Sequence, residues 1–495
     1  MYRTSYEDFL EYNQQPNFPL VPVWIERKLT DETPEETFLR ISDGYRYAFL
    51  LESMEGDQRT ARYSFVGADP FERIVGTQNG INRINDRGVL TLKGDPVKLM
   101  REIMKEYRTP VLKNMPRFTG GAVGYFGYDI VHHFEKIPTT NPDNLQMPDL
   151  HFMIAGKIVI FDHTQKRMYV IVNMLSNRAD PESAYLQGMA QVDDIVKRID
   201  EPLSRAPSCK DTKFNNVGNN VSSNMSPEAY GSIVKKAKEY IAAGDIYQVV
   251  LSQRFNIKIT QEPFDVYQIL AKVNPSPYLF YLKLDDVSIV GASPETMVLV
   301  ENRKVTVRPL AGTCRRGTTD KEDKKLIKEM LADPKERAEH VMLVDLGRND
   351  IGRICQYGSV RTTELMGIER YSHVSHIVSN VEGDLREGID SFEVLKATFP
   401  AGTLSGAPKI RAMEIIDELE TSKRGVYGGA LGYIGFCENL DMCITIRTMI
   451  IRDGVAYIQA GAGIVTDSDP HKENEECWKK AEALLRVLKA SEVPL

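Results

Sequence analysis

The spacing of apolar residues along the chain predicts many short β-strands with amphipathic helices between them. Strand-like apolar runs occupy residues 157–161, 168–172, 247–255, 287–291, 297–300 and 442–451. Short polar turns join several of these runs, which favours antiparallel pairing. No Gly-x-Gly-x-x-Gly sequence follows a strand, so we expect neither a Rossmann domain nor a P-loop. We predict an α+β fold in which large antiparallel β-sheets form a sandwich-like core, helices pack outside it, and two interleaved halves build it.

A polar, asparagine-rich stretch at residues 206–225 divides the chain. It has no hydrophobic periodicity, which is typical of a linker or long loop. We therefore expect an N-terminal region over residues 1–205 and a second region over residues 226–495. The second region opens with a predicted helix that starts at Ser226 and stops at Gly244. The two regions share one short sequence similarity. Residues 120–127 and 428–435 have the same glycine-rich pattern, which indicates two similar strands or a duplicated half.

Composition narrows the class of protein. The chain has 495 residues and a formal net charge of −7, with acidic and basic residues mixed throughout. That balance argues against a general nucleic-acid or anionic membrane surface, and no apolar run is long enough to cross a bilayer. Six cysteines without a Cys-x-x-Cys pair, and a polar N-terminus without signal-peptide features, predict a reduced, cytoplasmic protein.

Two acidic sequences predict helix starts far apart along the chain. Each opens with Asp-Pro, at Asp333 and at Asp469, which suits a helix cap and first turn. Each then places two glutamates three residues apart on one helix face: Glu336 and Glu339 in the first, Glu473 and Glu476 in the second. Brought together by the fold, these carboxylates would suit a hard divalent cation. First-turn glutamates also favour the helix dipole, and Glu336 could close a capping box, so a purely structural role stays open.

Five clusters of small and polar residues follow one another in the second region, at 291–295, 308–313, 372–376, 399–409 and 459–465. Each alone is typical of a turn, a bulge or a helix start. Their order, with the two acidic sequences, resembles the chorismate-utilising enzymes, a family of anthranilate synthase component I, aminodeoxychorismate synthase component I, isochorismate synthase and salicylate synthase. The resemblance is close over residues 226–488. Residues 50–53 and 62–67 look like the N-terminal region of the anthranilate synthase branch.

Two positions separate the branches of this family. Aminodeoxychorismate synthases carry a lysine nucleophile in Pro-Ile-Lys-Gly-Thr, where this chain has Ala311. Isochorismate and salicylate synthases place a lysine base where this chain has Gln248. An enzyme with neither lysine needs an external nucleophile, so the resemblance implies that chorismate and ammonia give anthranilate and pyruvate, the first committed step of tryptophan biosynthesis. Aminodeoxychorismate synthase component I is the nearest alternative, and a catalytically inactive amino-acid-binding subunit is a second one.

The resemblance also implies roles for individual residues. Glu295 is the candidate acid for the C4 hydroxyl, and Thr403 belongs to the same catalytic set. His376 is expected to act in pyruvate elimination, ahead of its neighbour His373. Loss of the C4 hydroxyl and loss of pyruvate each need proton transfer by a positioned group. The expected substrate-binding residues are Gln248, Thr313, Tyr427, Thr445, Arg447, Gly461, Ala462, Gly463 and Lys480. Among these, Arg447 and Tyr427 match positions that grip the enolpyruvyl carboxylate, and Lys480 belongs to the ring carboxylate site.

The same resemblance implies that the two acidic sequences bind a metal ion. Glu339 and Glu476 are expected to bind Mg²⁺, which bridges to the ring carboxylate of the substrate. Glu336 and Glu473 are expected to hold metal-bound waters as a second shell. This division agrees with the preference of Mg²⁺ for few carboxylates and several waters.

Partners and regulation follow from the resemblance as well. The ammonia source is expected to be a separate glutamine amidotransferase subunit, anthranilate synthase component II, in a hetero-oligomer with two of each subunit. The N-terminal region resembles a tryptophan feedback site that straddles both halves of the chain. The residues expected at this site are Glu52, Ser53, Arg62, Pro277 and Tyr278.

Overall fold

Helices with strong start signals surround the β-structure of this protein. The structure, a computed structural model, describes residues 2–53, 62–203, 221–371 and 374–490. Seven of the eleven α-helices within these ranges begin with proline, whose fixed φ suits the first helical position. The helices are α1 Tyr6–Asn13, α2 Pro34–Ile41, α3 Pro96–Lys105, α4 Pro181–Asp200, α5 Pro227–Ala243, α6 Pro263–Val273, α7 Asp320–Ala332, α8 Pro334–Gly352, α9 Ser391–Thr398, α10 Lys409–Leu419 and α11 Pro470–Ala490. Two 3₁₀ turns are Tyr128–His133 and Gly402–Leu404.

Twenty-five strands lie within the same described ranges. The first twelve are β1 Tyr2–Arg3, β2 Leu20–Lys28, β3 Tyr47–Glu52, β4 Tyr63–Ala68, β5 Arg73–Thr77, β6 Gly80–Asn85, β7 Gly88–Lys93, β8 Gly121–Phe126, β9 Leu150–Ala155, β10 Lys157–Asp162, β11 Arg167–Leu175 and β12 Ser222–Ser223. The others are β13 Gln248–Lys258, β14 Tyr278–Leu284, β15 Val287–Ser293, β16 Thr296–Glu301, β17 Lys304–Val307, β18 Leu310–Arg315, β19 Arg361–Arg370, β20 Val374–Asp384, β21 Gly406–Ala407, β22 Ala430–Gly435, β23 Leu440–Ile444, β24 Thr448–Arg452 and β25 Val455–Ile464.

The strands form two large antiparallel sheets. The first sheet has thirteen strands in the order β1-β2-β11-β10-β4-β3-β14-β15-β24-β25-β13-β12, with β21 also paired to β13. The second sheet has twelve strands in the order β18-β20-β17-β16-β23-β22-β8-β9-β5-β6-β7, with β19 also paired to β20. The predicted α+β fold with large antiparallel sheets is therefore confirmed.

Both halves of the chain contribute strands to both sheets. In the first sheet β3 pairs with β14, and in the second β8 pairs with β22. The second pairing places the two glycine-rich segments side by side, with Gly124 opposite Gly432. A methyl group on Gly432 would lie 2.0 Å from the carbonyl oxygen of Asp441, so this close backbone approach requires glycine.

Apolar side chains from both sheets fill the space between them. Phe49 and Phe280 come from the first sheet, and Val123 and Tyr433 from the second, and all four belong to one buried cluster. Phe118 stacks on Tyr433 with ring centroids 4.1 Å apart. A second cluster joins the other sheet surfaces to apolar faces of the helices. Strand alternation therefore gives most strands a face toward each cluster.

The helix predicted after the polar stretch is confirmed. It runs over Pro227–Ala243, Ser226 caps it, and Gly244 ends it in the left-handed conformation. Residues 204–220, most of the predicted linker, lie outside the described residues, and Ser222–Ser223 form the short strand β12. Among the described residues, no helix is both long and apolar enough to cross a membrane.

One strand prediction was wrong in a way that bears on function. Residues 442–451 were expected to form a single strand, yet they divide between β23 in the second sheet and β24 in the first. The break falls at residues 445–447, where Arg447 has φ +51. A hydrophobic pattern cannot reveal such a break, because the residues on both sides of it are apolar and buried.

Candidate active site

Two places where the chain crosses from one sheet to the other lie side by side. Glu295 connects β15 in the first sheet to β16 in the second, and residues 445–447 connect β23 to β24 in the reverse direction. The amide of Ile444 donates to the carbonyl of Glu295 at 3.0 Å. The hydroxyl of Ser293 donates to the carbonyl of Ile444 at 2.7 Å. These bonds fix two irregular segments against each other, and both carry predicted site residues.

The carboxyl of Glu295 is buried at the first crossing. Its residue is 6% exposed, and burial raises the pKa of this carboxyl to about 8. The hydroxyl of Thr403, on the 3₁₀ turn Gly402–Leu404, donates to Oε1 of Glu295 at 3.1 Å. That bond and the charge of Lys480 act in the opposite direction and lower the pKa. The side chain is therefore largely protonated at neutral pH, which is the state that a general acid needs.

His376 lies on β20, directly opposite Thr313 on β18. Its Nδ1 lies 2.9 Å from Oγ1 of Thr313 and 3.2 Å from the carbonyl oxygen of Gly312. Burial lowers the pKa of the imidazole, so the neutral form is favoured. A proton on Nδ1 donates to the Gly312 carbonyl and leaves Nε2 as the acceptor. His373 lies outside the described residues.

The glycine-rich end of β25 lies against β13. Val250, Leu251 and Ser252 stand opposite Gly463, Ala462 and Gly461, respectively. A methyl group on Gly463 would lie 2.6 Å from Nε2 of Gln248, and one on Gly461 would lie 2.9 Å from the hydroxyl of Tyr427. The structure thus brings Gln248, Tyr427 and residues 461–463 together, with glycine leaving space where side chains converge.

Lys480 and Arg447 converge on the same end of β25. Nζ of Lys480 donates to the carbonyl of Gly461 at 2.8 Å. Nη1 of Arg447 donates to the carbonyl of Lys480 at 3.1 Å. Thr445 is fully buried, and its hydroxyl has no hydrogen-bond partner among the described residues. The two cationic side chains are suited to an anionic ligand with several oxygens. Thr445 lies two residues before Arg447 in the same crossing.

The two acidic helix starts lie near each other. Burial raises the pKa of Glu336, and the charges of Glu339 and Glu476 raise it further. Burial also raises the pKa of Glu473, again assisted by Glu476. Asp333 caps α8 by accepting from the amide of Lys335 at 2.8 Å. Carboxylates from α8 and α11 therefore repel one another across the gap between the helix starts.

The donors in this gap fit a magnesium ion by their chemistry. Glu339 accepts from Nε2 of Gln248 at 3.4 Å, and Glu476 pairs with Lys480 at 2.7 Å. Across the described ranges, no group of three or more histidine, cysteine or acidic side chains is arranged to hold a metal ion. Mg²⁺ often uses only one or two carboxylates and keeps its waters. Burial and, after it, the neighbouring carboxylates raise the pKa of Glu336, and a cation here would relieve the part that comes from charge repulsion.

The residues predicted for a regulatory site do not all share one surface. Glu52 is buried and accepts a hydrogen bond from the hydroxyl of Tyr267, and burial raises its pKa to about 8. Glu52 stands opposite Leu279 on β14, so the next side chain, Tyr278, points to the other face of the sheet. The hydroxyl of Tyr278 donates to Oδ1 of Asp441 at 2.8 Å.

The other three residues of that set also have distinct surroundings. Arg62 pairs with Asp162 at 2.8 Å. Pro277 is buried beside β14, and the buried hydroxyl of Ser53 has no hydrogen-bond partner within the described ranges. Glu52, Ser53 and Pro277 thus lie around the paired ends of β3 and β14, whereas Arg62 is bound at the end of β10.

The sequence did not reveal a buried ion pair that lies next to the candidate active site. Arg424 and Glu420 are 2% and 5% exposed, and Nη2 of Arg424 lies 2.6 Å from Oε1 of Glu420. The spacing of four residues between opposite charges was a signal for the pair, although it usually indicates an exposed helix contact. Nothing in the sequence pattern indicated that both charges are buried.

Comparisons with known proteins identify the family of this chain. A family model described as chorismate binding enzyme matches residues 46–486. Anthranilate synthase component 1 of Acetivibrio thermocellus is 47% identical over 475 residues, covering 95% of this chain and 96% of the relative. Its counterpart in Aquifex aeolicus is 44% identical, covering 96% of each chain.

Solved structures show the same relationship. The crystal structure of anthranilate synthase component I from Streptococcus pneumoniae matches with a TM-score of 0.77 and 38% identity, over 86% of this chain and 92% of that one. The menaquinone-specific isochorismate synthase from Escherichia coli shares the fold, with a TM-score of 0.72 and 18% identity over 98% of each chain. The chain therefore belongs to the chorismate-binding enzymes and, among them, to the anthranilate synthase component I family.

Proposed function

We propose that this protein converts chorismate and ammonia to anthranilate and pyruvate. The observation that carries the proposal is a site with a buried acid and a neutral histidine but no lysine at position 311 or 248, where other branches of the family carry a nucleophile or a base. Residue 311 is an alanine that is 8% exposed, and residue 248 is a glutamine. Neither side chain can attack the ring or activate water, so ammonia is the nucleophile that the site leaves room for.

In the amination step, Glu295 protonates the departing C4 hydroxyl while ammonia adds at C2. Burial keeps this carboxyl protonated, and the hydroxyl of Thr403 holds Oε1 at 3.1 Å. The second carboxyl oxygen then carries the proton toward the substrate. A carboxyl whose pKa is near 8 has a proton to give at neutral pH.

In the elimination step, His376 accepts the proton that C2 loses as the ring becomes aromatic and the C3–oxygen bond breaks. The released enolpyruvate takes up a proton at its methylene carbon and becomes pyruvate. The Gly312 carbonyl and Thr313 hydroxyl hold Nδ1, which orients Nε2 as the base. Burial favours the neutral imidazole that this step requires. The acid lies at the crossing between β15 and β16 and the base lies on β20, so different segments serve the loss of the C4 hydroxyl and the loss of pyruvate.

The anionic groups of chorismate are bound by the cationic end of β25. Lys480 and the amides at residues 461–463 receive the ring carboxylate, and Arg447 with Tyr427 receives the enolpyruvyl carboxylate. Glu339 and Glu476 would hold Mg²⁺, with Glu336 and Glu473 on its waters, and the ion would neutralise the ring carboxylate. The substrate's charge is therefore balanced locally in a protein whose net charge is −7.

The biological setting forms part of the same proposal. The Acetivibrio thermocellus and Aquifex aeolicus relatives are component 1 of anthranilate synthase, so ammonia is expected from a glutamine amidotransferase partner, component II, in a complex with two of each subunit. Such a partner must deliver ammonia away from water, which would protonate it. Tryptophan is the expected feedback inhibitor at the ends of β3 and β14, and the cytoplasm is the expected compartment.

The assay that tests the proposal incubates the purified chain with chorismate, an ammonium salt and Mg²⁺. We expect fluorescent anthranilate, and we expect added tryptophan to suppress it. Formation of 4-amino-4-deoxychorismate would instead show an aminodeoxychorismate synthase, and unchanged chorismate would show a subunit without catalytic activity.

A further inference from the structure

The buried ion pair of Arg424 and Glu420 lies directly behind the proposed site. Nε of Arg424 donates to Oε2 of Glu420 at 2.9 Å, and Nη2 donates to Oε1 at 2.6 Å. Burying two charges is costly, and their attraction offsets the cost only with good geometry and further hydrogen bonds. The further bonds of this pair therefore indicate what it holds in place.

Two more bonds of Arg424 reach separate segments of the site. Nη1 donates to the carbonyl of Leu404 at 2.6 Å, and Nη2 donates to the carbonyl of Val250 at 2.7 Å. Leu404 directly follows Thr403, whose hydroxyl binds Glu295. Val250 stands opposite Gly463 in the strand register. One planar guanidinium thus joins the turn that holds the acid to the strand that borders the glycine-rich segment.

Glu420 extends the connection along β13. Its Oε1 accepts from the amide and from the hydroxyl of Ser252, both at 2.8 Å. Ser252 stands opposite Gly461. The guanidinium carbon of Arg424 also lies 5.7 Å from the ring centroid of Tyr427. The pair therefore contacts three parts of the proposed site: the turn at Leu404, strand β13 and the ring of Tyr427.

The buried contact joins the inner end of the 3₁₀ turn to its neighbour β13. Gly402 and Thr403 are partly exposed, whereas Leu404 and Ser405 are buried. The amide of Val250 donates to the carbonyl of Ser405 at 2.9 Å, so the turn and β13 are already neighbours. The guanidinium adds a rigid connection at the preceding carbonyl, and a lysine offers neither the planar geometry nor the number of donors.

We propose that Arg424, oriented by Glu420, is a positioning residue that fixes Thr403 against Glu295 and aligns this acid with the wall formed by Gln248 and Gly463. This inference rests on the proposed function, since it assigns the pair a task in the amination step. A displacement of about 1 Å at reacting groups can slow a reaction by about 100-fold. Replacement of Arg424 should therefore act mainly on kcat.

A pH profile separates positioning from a loss of general stability. The Thr403 bond lowers the pKa of Glu295, so loosening the turn should raise that pKa and extend activity to higher pH. The other groups near this carboxyl are the amide of Leu310, the ammonium of Lys480, and Arg308 and Asp350 in the same cavity. The bonds of Arg424 to the carbonyls of Leu404 and Val250 involve none of these groups.

The test compares Arg424→Lys, Thr403→Val and the double variant in full-length protein. We expect Arg424→Lys to lower kcat by roughly 10- to 100-fold with a smaller change in KM. We expect the high-pH limb of the kcat/KM profile to move to higher pH in both single variants. The double variant should show no larger shift than either single variant. Arg83→Lys is the matched control, because Arg83 forms a largely buried pair with Glu72 away from the site.

The outcomes are distinct. The positioning role would be overturned if the high-pH limb were unchanged in Arg424→Lys or if the two shifts added in the double variant. The same shift in Arg83→Lys would also overturn it. If Arg424→Lys fails to fold, Glu420→Asp takes its place, since it keeps the charge and withdraws the carboxylate by one methylene. A wild type that makes no anthranilate contradicts the proposed function, whereas an active wild type with unchanged variants contradicts only the role of Arg424.

Discussion

The hydroxyl of Thr403 donates to Oε1 of Glu295 at 3.1 Å, and this bond joins a 3₁₀ turn to a crossing between two sheets. The contact matters because Glu295 is buried. An exposed glutamate is ionised at neutral pH, whereas burial raises the pKa of Glu295 to about 8. Burial keeps the carboxyl protonated, and among the residues that the structure describes Thr403 is its side-chain hydrogen-bond donor. Acid strength and acid position are thus set by different features of the fold.

Glu295→Gln should abolish most of the amination activity. The amide keeps the shape of the side chain but has no proton to transfer, so kcat should fall by roughly 100- to 10,000-fold. Steady-state formation of anthranilate measures the loss. Glu301→Gln, at the end of strand β16 that is far from Glu295, is the control and should keep wild-type activity. Near-normal turnover in Glu295→Gln would remove the acid role.

Stability should decline as the pH rises toward 8. Burial raises the pKa of Glu52 from 4.5 to about 8, so the folded state holds a proton that the unfolded state releases. The stability from this proton is fully present below pH 4.5 and is lost as pH rises through about 8. Urea unfolding between pH 5 and pH 8 should show this decline, and Glu52→Gln should make it shallower. An identical pH dependence in the variant would contradict the assignment.

His376→Met should separate the two halves of the reaction. Methionine fills similar space but cannot accept a proton, so pyruvate elimination should slow more than amination. Chromatography of the reaction mixture should then show an accumulating amino-dihydro intermediate. Chorismate that simply remains unconsumed would place His376 in the earlier step.

The metal assignment predicts different behaviour for two adjacent glutamates. Glu476→Gln should raise the Mg²⁺ concentration needed for half-maximal activity by at least about tenfold, because one of the two proposed ligands is neutralised. Glu475→Gln is the matched control, since Glu475 is exposed on the same helix and pairs with His471 and Lys479. Equal Mg²⁺ requirements in the two variants would contradict the assignment.

Local features of the fold could be predicted from the sequence, because they depend on neighbouring residues. Asp333 and Asp469 cap the helices that their Asp-Pro sequences indicate. The strands at residues 157–161 and 168–172 lie within β10 and β11. The candidate acid and base were identified by the resemblance, and the structure brings each to a hydroxyl partner, Thr403 and Thr313.

Long-range features could not be predicted in the same way. The pairing of β13 with β25 joins residues about two hundred positions apart, and no periodicity records such a partner. The division of residues 442–451 between two sheets depends on the backbone at Arg447 rather than on hydrophobicity. Arg424 is charged yet buried, so a sequence pattern that places charges on the surface misses it.

The ratio of products formed from chorismate tests the central claim most directly. In one reaction with ammonium ions and Mg²⁺, anthranilate can be measured by fluorescence and pyruvate by coupled reduction. The account predicts that the two appear in equal amounts, each matching the chorismate consumed. Pyruvate without anthranilate, or an aminated product that retains its enolpyruvyl group, would contradict it.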